Sequence, residues 1–426
     1  MWGLLTHRAR AWCGLIALSL LSITQITAAA STGSIRLEDA IDRTLASNPE
    51  LVAFGYQIEA QQGRLTQAQV TPSPELGLMV ENALGSGDYE AFDGAESTLS
   101  LGWVLERGKR ELYVNAARAG VFALEAQSEI HRLDAIARTT YLFLENLRYQ
   151  EHLHLAHEAT ALAEQTVATV RKRANAALAP TTDVARAEAE LARVRLAAED
   201  ISHELKTARR WLAAQWGESQ ADFTKVVGDP HQLPSPGSFT RLLDEVDRNP
   251  NLSAFLSQSR LREAELRSAE AQAKPDWRFN AGIRRLELTN DNAFVAGVVI
   301  PLTSANRNQG RVTEARANLH RAEADRVATR VQIETQLFDV YEALQHSLHR
   351  SRALREEVLP RLEKAVSETQ RAFVAGRYSY YELQVLQTEL IATRADVLDA
   401  AIEAHQRLIE IERLTGVAMP SAVLNP

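Results

Sequence analysis

The chain has 426 residues and carries 55 acidic against 47 basic side chains, a formal charge of −8. An acidic chain without a basic stripe makes nucleic acid a poor partner. The one cysteine, Cys13, lies in the N-terminal segment, so the rest of the chain excludes a disulfide scaffold, a Cys-ligated metal centre and a cysteine enzyme.

Residues 1–30 read as a signal peptide. Arg8 and Arg10 form a positive n-region, Cys13 to Ile23 (CGLIALSLLSI) an apolar core, and Ala28-Ala29-Ala30 a small-residue cleavage site. No lipid anchor is expected, since Arg-Ala-Trp precedes the cysteine. Without Arg8 and Arg10 the balance is 45 basic against 55 acidic side chains. No later segment reaches the ~18 consecutive apolar residues of a transmembrane helix. Membrane insertion would have to be by strands.

Next comes an amphipathic lead-in ending in "LASNPEL" (Leu45–Leu51), then a helix. Strand character follows Pro74. Glu75–Asn82 alternates with Leu76, Leu78 and Val80 on one face. After a Gly/Asp-rich loop, Ser97–Leu105 alternates with Leu99, Leu101, Trp103 and Leu105 against Ser100 and Gly102. From Val121 to Gln215 there is no glycine and one proline, Pro180, which reads as long helices broken there. A helix from about Glu111 to about Asn175 would be roughly 100 Å long, so it needs packing partners along its whole length. Val184, Leu191, Val194, Ile201, Leu205 and Leu212 supply a seam at threes, fours and sevens.

The Pro/Gly-rich stretch 228–238 is a linker, and the pattern then starts again. "VDRNPNL" (Val246–Leu252) echoes the first Asn-Pro, Pro275 echoes Pro74, and "RNQGRV" (Arg307–Val312) echoes "ERGKRE" (Glu106–Glu111). Strands are expected at Asp276–Leu286, with Trp277, Phe279, Ala281 and Ile283 on one face, and at Ala293–Leu302. Glycine-free windows at 311–375 and 377–415 predict long helices broken at Gly376. Two structural repeats, 31–227 and 239–416, are therefore expected, with hairpins at 75–105 and 276–302 and a C-terminal tail at 417–426.

Each strand has about the ~9–11 residues that cross a bilayer at a tilt. Apolar-out, polar-in alternation fits a membrane barrel, and fits equally a strand half-buried on a soluble core. Four strands cannot close a barrel, and open edges are not tolerated in lipid. Two copies would give eight strands and a filled interior, three copies twelve and a channel. The expected fold is mainly α with a small β part: a long-helix α-barrel or coiled-coil bundle, plus two β-hairpins per protomer in a shared trimeric twelve-stranded barrel.

The sequence resembles the TolC-like outer-membrane efflux family, and within it the channels of cobalt–zinc–cadmium type RND cation efflux systems. The resemblance rests on "ENALGSGDYEAFDGAESTLSLGW…ERGKR", on "RRLELTNDNAFVAGVVIPLTSANRNQGRVTEARA" (Arg284–Ala317) and on "AGRYSYYELQVLQTEL" (Ala375–Leu390). It implies a homotrimeric channel in the cell outer membrane with a periplasmic helical extension. It also implies a periplasmic adaptor and an inner-membrane RND pump as partners, no catalytic site and no cofactor. Match to the family's periplasmic turn implies that Glu382, and Asp183 in the first half, ring a pore constriction. The family's second acidic position falls on Val385, and Ala177 stands where a glycine is common.

Other readings compete at these positions. Glu382 and Asp183 also suit helix N-terminal carboxylates. His154 and His157, and His346 and His349, are i,i+3 pairs that could chelate a metal or simply cover a solvated helix face. Trp103 and Trp277 suit a membrane-interface belt. Leu99, Leu101, Trp103, Trp277, Phe279 and Ile283 are the expected lipid-facing residues. No GxGxxG, HExxH or GxSxG motif occurs. The alternative function is a soluble periplasmic coiled-coil scaffold or adaptor-like protein.

Overall fold

The computed structural model describes residues 33–302 and 308–416. The expected signal segment, the tail 417–426 and residues 303–307 lie outside the described residues.

Helices dominate because glycine and proline are absent over long windows. The longest, α3 (Lys109–Asn175), has 67 residues, a rod of about 100 Å. It begins where Gly108 turns the chain with φ of 80°, a conformation cheap only for glycine. It ends before Ala177, which is itself left-handed at φ 58°. Pro180 then caps α4 (Thr181–Ala213). In the second half, α7 (Gln309–Ala353) runs through a π turn at Leu354–Val358 into α8 (Leu359–Val374). Pro360 sits in the first turn of α8, where its missing N–H costs least. Gly376, at φ 78°, makes the next turn, and α9 (Tyr380–Thr415) returns. The shorter helices α1 (Leu37–Ser47), α2 (Pro49–Gln69), α5 (Phe239–Glu245) and α6 (Pro250–Ala271) complete the set.

The long helices stabilise one another laterally. α3 packs along α4, α6, α2 and α9, and α7 along α9 and α6. One core gathers Phe143, Leu144 and Leu147 with Leu212, Trp216, Phe223 and Ile402. A second gathers Val246, Leu337 and Leu344 with Ile411 and Leu414. A third, at the far end, holds Val170, Ala187, Phe373, Tyr380 and Leu383. Near the second, burial alone pushes the Glu412 carboxyl up to about 8, which marks the end of α9 as poorly solvated.

The two Asn-Pro motifs tie chain ends together. Asn48 Oδ1 accepts from the amides of Glu50 and Leu51, starting α2, while its Nδ2 donates to the Gln215 carbonyl at 2.8 Å. Asn249 Oδ1 accepts from the Asn251 amide, starting α6, while its Nδ2 donates to the Leu414 carbonyl at 2.6 Å. Both asparagines are buried. Each caps one helix N-terminus and also satisfies a carbonyl at the end of another helical run.

Two strands escape a reading of the local pattern. β1 (Ser34–Arg36) and β4 (Lys225–Val227) form a short parallel pair, and three residues are too few to display a period. The remaining strands, β2 (Glu75–Glu81), β3 (Glu96–Leu105), β5 (Trp277–Leu286) and β6 (Asp291–Val299), make one antiparallel sheet in the order β2-β3-β5-β6. β6 stops three residues short of the expected Leu302. Pro301 has no N–H to donate and restricts Ile300 before it.

Candidate functional site: the sheet wall and the helical tip

The register sorts the sheet into two faces. Leu99 pairs with Ile283 and Leu78, Leu101 with Ala281 and Leu76, Trp103 with Phe279, and Ile283 with Phe294. These share one face because paired residues in a sheet point the same way. The face is bare in the protomer: Ile283 is 62% exposed, Leu76 75% and Phe294 75%. Leu99, Leu101 and Trp103 are exposed as well, whereas Trp277 and Phe279 are half-buried. There Trp103 stacks on Phe279 at 5.9 Å, and Trp277 tilts against Phe279 at 6.3 Å. An apolar face of this extent, open to solvent, is not stable on its own and calls for lipid or protein against it.

The opposite face is the more polar one and is rich in small residues, although Met79, Val104 and Val295 also lie on it. It carries Gly77, Thr98, Ser100, Gly102, Asn280, Gly282 and Gly297. Charged side chains sit among them: Glu75, Glu81, Glu96, Arg278 and Arg284. Arg284 on β5 donates to Thr98 Oγ1 at 2.9 Å, to Glu96 Oε2 at 2.7 Å and to Glu81 Oε2 at 2.9 Å. A single guanidinium thus clamps β2, β3 and β5 with three charge-assisted or polar bonds. Sequence alternation places Arg284 on the polar face. Its partners come from two other strands, so their convergence could not be read locally.

At the other end of the molecule the two helical turns meet. Arg173 of α3 lies over the Phe373 ring at 4.6 Å and donates to the Phe373 carbonyl and, at 3.2 Å, to that of Leu178. Tyr380 is buried, and its hydroxyl is pushed up to about 12 by burial, then by the carboxylates of Glu190 and Asp183. Asp183, half-exposed in the first turn of α4, therefore lies within electrostatic reach of the start of α9. Glu382 is exposed and forms a capping box: its Oε2 accepts from the Ser379 amide at 2.8 Å, and Ser379 Oγ accepts from the Glu382 amide at 3.3 Å. Its Oε1 has no protein hydrogen bond among the described residues. Glu382 is thus both a cap and an exposed acid. Val385 is exposed beside it.

The histidines stand apart from these features. His154 is exposed and lies 3.3 Å from Glu158, one turn away. His157, His346 and His349 are exposed on their helices. Among the described residues, no group of three or more His, Cys, Asp or Glu side chains is placed to hold a metal ion. Nor is any described helix long and apolar enough to cross a membrane; the apolar sheet face is the feature of membrane character.

A sheet apolar on one side and more polar on the other, continued by long paired helices, defines the wall of a channel. The chain belongs to the Outer membrane efflux protein family, which matches residues 40–218 and 244–417. It is 27% identical to the cobalt-zinc-cadmium resistance protein CzcC of Cupriavidus metallidurans, over 91% of each chain. It is 25% identical to the nickel and cobalt resistance protein CnrC of the same organism, over 63% of this chain and 64% of that one. The fold resembles that of the outer membrane protein VceC of Vibrio cholerae, with a TM-score of 0.71 and 21% identity, covering 89% of this chain and 96% of that one. It also resembles CusC, with a TM-score of 0.74 and 16% identity, covering 89% and 91%. The protein is an outer-membrane efflux channel, and family membership sets aside the soluble scaffold.

Proposed function

We propose that three copies of this chain close a twelve-stranded barrel in the outer membrane and a helical tunnel beneath it. The tunnel is the exit duct of a tripartite system: an inner-membrane RND pump loads it through a periplasmic adaptor. The carrying observation is the four-stranded sheet whose outer strands, β2 and β6, each have one unpaired edge. Lipid does not tolerate open edges, so β2 of one copy pairs with β6 of the next. The halves 31–227 and 239–416, joined by 228–238, are duplicate modules that each supply one hairpin and one long helix. The duct performs no catalysis and requires no cofactor.

The cargo is a heavy-metal cation, a reading supported by the resistance named in CzcC and CnrC. A duct should hold its cargo weakly, since conduction needs exit as well as entry. Scattered exposed histidines suit that better than a closed ligand set. The test is complementation: the full chain, expressed with its pump and adaptor in a channel-deficient strain, restores tolerance to zinc, cobalt or cadmium. Restored tolerance to organic toxins alone overturns the metal cargo while leaving the duct intact.

Glu382 and Asp183 are the acids of the tip. Glu382→Gln keeps an acceptor for the Ser379 amide and removes the charge, so it separates pore from cap. The expected result in planar bilayers is a lower preference for cations with an unchanged melting temperature. Unchanged ion preference removes Glu382 from the pore lining.

A further inference from the structure

The corner where β3 passes into α3 holds a cation that no acidic side chain among the described residues pairs with. Glu106, Arg107, Lys109 and Arg110 fall within five residues there, and Asp276 lies beside them at the start of β5. Lys109, buried, reaches Asp276 Oδ1 at 2.7 Å. Arg110 stands 3.5 Å from Glu106 Oε2. Arg107 has no ion pair or hydrogen bond among the described residues, and it is exposed. Its guanidinium instead lies over the Trp277 ring, 5.0 Å from the centroid. Its backbone is left-handed at φ 53°, a conformation that asparagine or glycine would adopt at less cost. Lys274, three residues before Trp277, is also exposed and without an ion pair among the described residues.

Position gives this surplus charge a meaning. Trp277 pairs with Leu105 at the end of the apolar face, where the sheet hands over to the helices. An indole at that level sits at the boundary between hydrocarbon and headgroups. A guanidinium stacked on it extends from the apolar surface toward water, as long basic side chains do at interfaces.

We infer that Arg107, held on Trp277 and assisted by Lys274, seats the phosphate of an anionic phospholipid in the periplasm-facing leaflet of the outer membrane. Neither basic group has an acidic partner among the described residues, and a planar guanidinium matches a phosphate with two parallel hydrogen bonds. Through Lys109–Asp276 the same corner joins the sheet to the longest helix, so a bound lipid would brace the junction of barrel and tunnel. This rests on the reading that the apolar face meets lipid.

The test uses the purified full-length channel in nanodiscs of phosphatidylcholine doped with phosphatidylglycerol, with retained lipid counted by native mass spectrometry. Arg107→Gln, with trimer yield from outer membranes unchanged, should retain about five-fold less phosphatidylglycerol, the effect of one basic side chain near an anionic surface. Arg107→Lys, which keeps the charge and loses the planar stack, should fall between. Equal retention by the wild type and Arg107→Gln overturns the lipid seat. Should Arg107→Gln fail to assemble, the wild type carries the test: retention that does not fall from low to high salt overturns it too. A wild-type chain that never reaches the outer membrane is a different failure, that of the lipid-facing reading itself.

Discussion

Ile283→Asp abolishes assembly in the outer membrane. Ile283 is 62% exposed in the protomer and pairs with Leu99 on one side and Phe294 on the other, so it lies inside the apolar face rather than at its rim. If that face meets hydrocarbon, the substitution removes the transfer free energy of an isoleucine and places a carboxylate where water cannot reach it. The cost is on the order of 2–4 kcal/mol per copy. Three copies share one barrel, so the penalty roughly triples in the assembled particle. Val295 supplies the control. It pairs with Gly282 on the polar face, where an aspartate would meet the water of the lumen, and Val295→Asp should assemble normally. The measurement is the amount of trimer in the outer-membrane fraction by semi-native electrophoresis. Wild-type levels of Ile283→Asp trimer would place that face against protein or water.

The helices were legible because their signal is local. Long runs almost free of glycine, broken at Pro180 and Gly376 and bounded by the left-handed Gly108, Gly217 and Gly416, place α3, α4 and α9 without knowledge of any neighbour. Strand faces were legible for the same reason, since alternation of period two needs only the strand itself. What stayed hidden depends on distant pairing. The seam between β3 and β5 brings Leu99 onto Ile283, 184 positions apart, and no local period encodes that choice. Arg284 was visible with Arg278 as a charge on a polar strand face, but not as a clamp, because Glu81 and Glu96 lie on other strands. β1 and β4 were invisible for want of length. The tip was partly legible. Serine three residues before Glu382 is a capping-box signature, while the reach of Arg173 to the Phe373 carbonyl joins the two halves of the chain and has no trace in either segment alone.

That seam is the subject of the other large effect: Gly282→Val prevents β3 and β5 from pairing, and with it the union of the two hairpins. Gly282 sits on the polar face, opposite Ser100. A Cβ built there would overlap the Leu99 carbonyl oxygen and stand 2.8 Å from the Ser100 Cα. Both are backbone atoms, so no rotamer change makes room, and the strands must part. Such crowding is expected on the concave side of a curled sheet, where glycine lets backbones approach. Parting costs the ladder hydrogen bonds on either side, about 1 kcal/mol each, plus the penalty of leaving them unpaired in a buried seam. Gly102, also on the polar face, discriminates between crowding and a general need for small residues. A Cβ at 102 would find its nearest neighbour at 3.7 Å, an ordinary contact, so Gly102→Ala should assemble at wild-type levels. The two variants are compared by trimer yield and by the temperature at which the trimer dissociates. Equal behaviour of Gly282→Val and Gly102→Ala would mean that the strands yield at the seam, and that the sheet is held by its Arg284 clamp and apolar face rather than by close backbone approach.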